Sequence, residues 1–125
     1  MPPRPRAGPR NALGAAGEDA AVRRYAERGY RLVARNWRCP AGELDLVLAR
    51  AGVLVFCEVK TRSSAALGGG FEAVTSRKQR KLKQLAETYL VANRVHESAI
   101  RFDVASVSRG AGDRIADVEI FEDAF

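Results

Sequence analysis

The sequence predicts a mixed α/β domain in the order α-β-β-β-α-β-β, a mixed central sheet flanked by helices. Three observations predict it. Apolar residues recur at helical spacing in two segments, Val-, Leu- and Ile-rich runs of strand length occur in five others, and Gly or Pro clusters mark several of the junctions. The 125 residues suit one domain, and hydrophobic and charged fractions of 46% and 29% lie near the globular average.

Met1 to Asn11 contains four prolines and three arginines and no acid, the composition of a mobile basic leader. Residues 1–12 are therefore expected as a disordered tail and 13–125 as the folded domain. From Leu13 the pattern turns helical and runs to Gly29, a natural C′ residue. Its apolar positions include Ala21, Val22 and Tyr25, and Glu18 stands three, four and seven residues before them. Helical geometry puts that carboxylate on the core-facing stripe. One reading is an N-terminal Glu favoured by the helix dipole; the other is a site carboxylate, which the acidic hairpin downstream favours.

Tyr30 to Arg38 reads as a first strand, with Leu32 and Ala34 on one face, Val33 on the other, and Trp37 closing the end of the core. A turn at Cys39-Pro40-Ala41-Gly42 leads into a β-hairpin with strands at about Glu43–Ala49 and Val53–Thr61. Arg62 to Val74, with its Gly68-Gly69-Gly70 run, lacks the spacing and trailing Lys of a nucleotide-binding loop and reads as a flexible flap or substrate entry. Thr75 can cap a second helix reaching about Ala92, with Leu82, Leu85, Ala86, Tyr89 and Leu90 inward. Its first turns carry Arg77, Lys78, Arg80, Lys81 and Lys83 with no acid between them, which suits either a solvated face or a phosphate-contacting one. Asn93 to Ser98 is a connector, Ile100 to Val107 a fourth strand with Ile100, Phe102 and Val104 on one face, Arg109 to Asp113 a turn, and Ile115 to Phe121 a fifth strand.

Composition excludes several chemistries. Cys39 and Cys57 are the only cysteines and lie far apart, so neither a disulfide nor a zinc site is supported. His96 is the only histidine, in a connector, which directs the search toward carboxylates and lysine. No run approaches the ~20 apolar residues of a membrane span and no apolar signal core is present, so a soluble, cytoplasmic protein is expected. A net charge of +6 and a pI near 9.9 fit a polyanionic partner without establishing one.

The hairpin carries acids where strands this apolar would be expected to carry none. If Gly52 closes the turn so that paired positions sum to 103, Asp45 lies opposite Glu58 and Glu43 opposite Lys60. Directly opposed side chains are about 4.5–5.5 Å apart at Cβ, and two carboxylates there repel unless a proton or cation sits between them. A divalent metal ion is the economical explanation. An even sum would turn the two carboxylates to opposite faces.

Asp45, twelve intervening residues, then Glu58-Val59-Lys60 resembles the PD-(D/E)XK pattern of metal-dependent nucleases, and the element order resembles the restriction-endonuclease-like α-β-β-β-α-β core. Gly17-Glu18, Arg35-Asn36-Trp37-Arg38, Gly42-Glu43-Leu44-Asp45-Leu46, Phe56-Cys57-Glu58-Val59-Lys60-Thr61-Arg62, Glu72-Ala73-Val74, Lys78-Gln79-Arg80 and the closing Ala124-Phe125 together resemble the YraN-like uncharacterised bacterial family. That family is similar in turn to archaeal Holliday-junction resolvases. Leu44 stands where the pattern's proline would precede Asp45.

The resemblance implies a Mg²⁺- or Mn²⁺-dependent endonuclease acting on DNA, with branched or junction-like DNA as the substrate. It implies that Asp45, Glu58 and the Val59 carbonyl hold the metal, that Glu18 binds a second metal or a metal-bound water, and that Gln79 orients Lys60 or a phosphate. Nearby carboxylates favour the charged form of Lys60, which suits it to orienting water and stabilising charge on phosphorus. Arg62, Arg77, Lys78, Arg80, Lys81 and Lys83 would contact nucleic acid. A homodimer would be geometrically natural for cutting both strands of a junction. Two alternatives stay open: a nucleic-acid-binding module of this fold without cleavage, and a scaffold whose carboxylates form salt bridges with Lys60 and Arg62.

Overall fold

A computed structural model describes residues 12–63, 74–96 and 99–125. Its elements are α1 (Ala12–Glu27), β1 (Arg31–Cys39), β2 (Gly42–Arg50), β3 (Val53–Ser63), α2 (Ser76–Ala92), β4 (Ala99–Arg109), a short 3₁₀ turn (Ala111–Asp113) and β5 (Ile115–Phe121). The strands form one sheet in sequence order, antiparallel except for the parallel pair β3–β4, which α2 connects. The expected order of elements is therefore the observed one. Residues 1–11 of the expected basic tail and most of the Gly-rich loop lie outside the described residues, Ala12 opens α1, and β3 runs two residues beyond its expected end at Thr61.

Local chemistry accounts for the boundaries. Gly29, at φ +87°, ends α1 with Gly29 N–H donating to Ala26 O and Tyr30 N–H to Tyr25 O, the paired bonds of a Schellman motif. Thr75 caps α2 by accepting the Lys78 N–H at 3.2 Å. Ala51 and Gly52 both have positive φ between the paired residues Arg50 and Val53, as a two-residue type I′ hairpin turn requires. Every β2–β3 pair from Arg50↔Val53 to Leu46↔Cys57 sums to 103, the expected register.

The two helices cover opposite faces of the sheet. Leu82, Leu85, Ala86 and Tyr89 of α2 pack on Leu44, Val47, Ala49, Leu54, Phe56 and Val104. On the other face Ala21 and Tyr25 of α1 pack with Leu46, Leu48, Val55, Cys57 and Ala105. Trp37 meets Tyr89 edge to face at 5.1 Å between centroids, consistent with its expected place at the end of the core. The C-terminus docks on the α2 face, where Ala124 N–H donates to Phe102 O at 2.7 Å and Phe125 stacks on Phe102 at 5.2 Å.

The β1 faces depart from strict alternation. A register shift between Leu32 and Ala34 leaves Leu32 and Val33 both exposed, rather than Leu32 sharing a face with Ala34. A second irregularity is Asn36, at φ +53°. Pairs on both sides of it, Arg35↔Leu46 and Trp37↔Leu44, keep the same sum, so the strand bends there without slipping. Among the described residues no helix is long and apolar enough to cross a membrane.

Candidate functional site

The bend at Asn36 faces the one position of β2 where alternation also breaks. Leu44 and Val47 lie in the α2-side core while Leu46 and Leu48 lie in the α1-side core, so the period shifts at Asp45. The β2–β3 ladder ends at Leu46↔Cys57, one pair before Asp45 would meet Glu58. Asp45 Oδ2 instead accepts the Val59 N–H at 2.9 Å, which ties the diverging strand end to β3. The expected opposition of Glu43 and Lys60 does not form for the same reason. Glu43 accepts from Arg38 Nε at 2.8 Å on the β1 side.

Asp45 and Glu58 nevertheless share one small environment. With Leu44, Phe56, Cys57, Leu82 and Phe102 they line a cavity of about 10 Å³, so the floor beneath both carboxyls is largely apolar. Burial over that floor, together with the charge of Glu58, raises the pKa of Asp45 to about 7. The Val59 N–H pulls in the opposite direction, and the charges of Glu18 and Glu43 add to the rise. The structure thus places a second carboxylate where it makes ionising the first one unfavourable.

Glu18 is on the core-facing stripe of α1, as its spacing implies, and is 4% exposed. Arg35 Nε donates to one of its oxygens at 3.2 Å and Asn36 Nδ2 to the other at 3.0 Å. Consecutive residues of a regular strand point to opposite faces, so the bend at Asn36 is what lets both reach one carboxylate. Arg35 continues to Asp19 Oδ1 at 2.6 Å and Ala15 O at 2.9 Å. Burial alone would lower the Arg35 pKa, and its bonds to Asp19 and Glu18 more than offset this. Arg35 and Asn36 had no role assigned from sequence.

Gly17 lets α1 approach closely enough to place Glu18. A Cβ at Gly17 would collide with Thr61 Oγ1 of β3. Gly17→Ala is expected to lower stability by about 1 kcal/mol, the overpacking penalty exceeding the gain in helix propensity. Adding Thr61→Ala should recover most of the loss, a coupling that urea unfolding of the two singles and the double measures.

The remaining residues distribute as follows. Glu58 Oε2 lies 3.4 Å from Lys78 Nζ of α2, with Glu58 12% and Lys78 46% exposed at the side chain. Lys60 is half-buried two residues beyond Glu58 and has no ion pair among the described residues. Arg62 has a buried Nη1 without a hydrogen-bond partner among the described residues. Gln79 donates its amide to Val74 O at 2.9 Å, bracing the entry to α2, and makes no hydrogen bond to Lys60. Arg77, Lys78, Arg80, Lys81 and Lys83 are exposed along α2, and Lys83 lies over the Phe102 ring at 5.9 Å. Among the described residues no group of three or more His, Cys, Asp or Glu side chains is placed to hold a metal ion. The acidic donors in this cavity are thus Asp45 and Glu58, two hard oxygen ligands.

Sequence reasoning also missed a second buried polar cluster. Asp103 of β4, fully buried, accepts from Tyr25 Oη at 2.7 Å, from Arg101 Nε and Nη2 at 2.8 and 2.9 Å, and from Asp123 N–H at 3.0 Å. Arg101 also donates to Tyr30 Oη at 2.9 Å. Burial, with the nearby Cys57 and Asp103, pushes the Tyr25 hydroxyl far above its ordinary range. The available signal was the alternation of β4. With Ile100, Phe102 and Val104 on one face, Arg101 and Asp103 must lie on the other, beneath α1.

Residues 17–107 match the family model described as Uncharacterised protein family UPF0102. A UPF0102 protein of Moorella thermoacetica is 42% identical over 93% of this chain and 97% of its own length. UPF0102 proteins of Frankia alni and Rhodococcus jostii are 48% and 46% identical, over 80% and 91% of this chain and 83% and 96% of theirs. The match runs from within α1 through most of β4, including Glu18, Arg35, Asn36, Asp45, Glu58, Lys78 and Asp103. The chain belongs to the UPF0102 family.

Proposed function

We propose that the end of the β2–β3 hairpin is the centre of a metal-dependent endonuclease that hydrolyses phosphodiester bonds in DNA, with branched or junction-like DNA as its substrate class. The observation that carries the reading is the pairing of Asp45 with Glu58 over an apolar floor, which leaves Asp45 with a pKa of about 7. A scaffold gains nothing from setting Asp45 against the charge of Glu58; a cation site does. The donors are all oxygen, which suits Mg²⁺ or Mn²⁺. Asp45 and Glu58 would hold the ion with the Val59 carbonyl, and the ion when bound supplies polarisation of the phosphate and a water of lowered pKa.

The chain's own groups supply the rest. Lys60 orients the attacking water and stabilises charge on the phosphorus. Glu18, fixed by Arg35 and Asn36, adds negative charge behind Asp45 and is assigned a positioning role. The Nη1 of Arg62, buried and without a hydrogen-bond partner among the described residues, supports an anionic ligand there, because a buried guanidinium nitrogen left unpaired is costly. The exposed basic residues of α2 would carry the flanking phosphates. In the hydrolysis, the water oxygen forms the new bond to phosphorus, the bond to one sugar oxygen breaks, and that oxygen leaves with a proton.

The test incubates purified protein with labelled junction, flap, duplex and single-stranded DNA, with and without Mn²⁺. Cleavage that requires the metal and falls at least about 100-fold in Asp45→Ala is expected, the loss typical of removing a principal charge-stabilising group. No cleavage of any substrate, or cleavage undiminished in Asp45→Ala, would overturn the reading. The two-carboxylate donor set and the Lys78 contact to Glu58 favour, as a second reading, a nucleic-acid-binding module without cleavage. DNA binding that needs no metal and survives Glu58→Ala, with no cleavage, would select it.

A further inference from the structure

Glu58 takes its counter-ion from an unexpected element. Lys60, on its own strand, is the lysine that spacing nominates, yet the ammonium within 4 Å of Glu58 belongs to Lys78 of α2. Helix physics does not favour that lysine. Lys78 lies in the first turn of α2, at the positive end of the helix dipole, in a turn with no acidic residue and with Arg77 beside it. Cations there are disfavoured, so the field of the two hairpin carboxylates is what opposes the repulsion. Glu58 is nearly buried beside Asp45, whereas Lys78 is about half exposed on a flexible stem. The anchored partner is the carboxylate and the movable one is the ammonium.

We propose that Lys78 is the resident cation of this site when no divalent ion is bound. Its ammonium neutralises Glu58 until a divalent ion binds there, and is then released to a phosphate of the nucleic acid. The inference rests on the metal reading above and adds its regulation. An ammonium and a divalent ion cannot both lie close to the Glu58 carboxylate without strong mutual repulsion, so the two compete. Once displaced, Lys78 is a free cation at the mouth of the site beside Arg77 and Lys81, where a phosphate oxygen is its natural partner. Metal binding therefore creates a phosphate contact that the metal-free protein holds back.

The test measures free Mn²⁺ by electron paramagnetic resonance in equilibrium with the full chain, at low salt and without DNA. Lys78→Gln is expected to bind Mn²⁺ about 3- to 10-fold more tightly than the unaltered protein, the range expected from losing one close competing charge. Lys81→Gln removes the same charge from the same helix without the Glu58 contact and should change Mn²⁺ affinity less than about 2-fold. In the second arm, duplex DNA binding is compared in Ca²⁺ and in EDTA. Lys78→Gln should weaken binding in Ca²⁺ and have a smaller effect in EDTA, where Lys78 is still engaged by Glu58. Equal Mn²⁺ affinities for Lys78→Gln and the unaltered protein, or equal tightening by Lys81→Gln, overturn the lysine exchange and leave the metal reading standing. Absence of Mn²⁺ binding by the unaltered protein at millimolar concentration overturns both.

Discussion

Asp45→Asn is expected to raise, not lower, the thermal stability of the protein above pH 7. The folded-state pKa of Asp45 is raised to about 7, from an unfolded value near 3.9. Between those values the native protein holds a proton that the unfolded chain has released. Raising the pH through that window therefore weakens the native state, and above about pH 7 the penalty is constant. Asparagine keeps an oxygen to accept the Val59 N–H and carries no charge to oppose Glu58. Half of the full conversion of that shift, discounted for partial solvent contact and coupling to Glu58, is about 2 kcal/mol at pH 8, or roughly 5–10 °C in melting temperature. The difference between variant and parent should vanish near pH 4, grow to about pH 7 and then level off, as calorimetry across that range will show. In saturating Mn²⁺ the sign should reverse, because the parent alone gains the metal's binding energy. A melting temperature lowered by the substitution at pH 8 without metal would mean that Asp45 is a structural acid. Destabilisation at a residue relieved of a charge conflict is not expected; a stability gain coupled to lost activity is the usual mark of a functional group.

Asp103→Ala should have the opposite and larger effect. Asp103 accepts hydrogen bonds from three parts of the chain, Tyr25 on α1, Arg101 on its own strand and Asp123 in the C-terminal segment, with no exposure to water. Removing it leaves the Arg101 guanidinium without its bidentate partner, and breaking a buried pair from one side costs about 3–5 kcal/mol. The damage should also reach the candidate site. Tyr25 lies seven residues after Glu18 on the same stripe of α1, and its hydroxyl bond to Asp103 is one of the contacts that seat the helix on the sheet. Hydrogen exchange of α1 amides should rise in Asp103→Asn as well as in Asp103→Ala, while α2, packed on the other face, is protected as before. Equal loosening of both helices would show that Asp103 supports the sheet as a whole rather than α1.

Both experiments separate what holds the fold from what strains it. Asp103 is a buried acid whose four donors fill its acceptor sites, and Asp45 is a partly buried acid set against another acid. Their surroundings differ in one physical respect. Asp103 faces a guanidinium fixed at short range, whereas Asp45 has one backbone N–H and the charge of Glu58 beside it. Gly17 and the bend at Asn36 belong with Asp45, since they position Glu18 near it at the expense of regular local geometry.

The order of elements, the cap at Thr75, the C′ glycine at Gly29 and the hairpin register were all legible in the sequence, because each depends on neighbours a few residues apart. The odd pairing sum placed Asp45 and Glu58 at the same end of one hairpin, and helical spacing placed Glu18 on the inward face of α1. Tertiary structure decided what each carboxylate meets. The ladder stops at Leu46↔Cys57, so Asp45 takes the Val59 N–H rather than lying squarely opposite Glu58, and Glu43 turns to Arg38. Glu18 is claimed by Arg35 and Asn36 because a left-handed residue in β1 aims two consecutive side chains at one helix. Glu58 is neutralised from α2, across a connection that the strand's own periodicity does not describe. Periodicity in a sequence reports which face a side chain occupies; which charge waits on that face depends on elements the fold brings together, as Arg35 of β1 with Glu18 of α1 and Lys78 of α2 with Glu58 of β3, and only the folded chain specifies it.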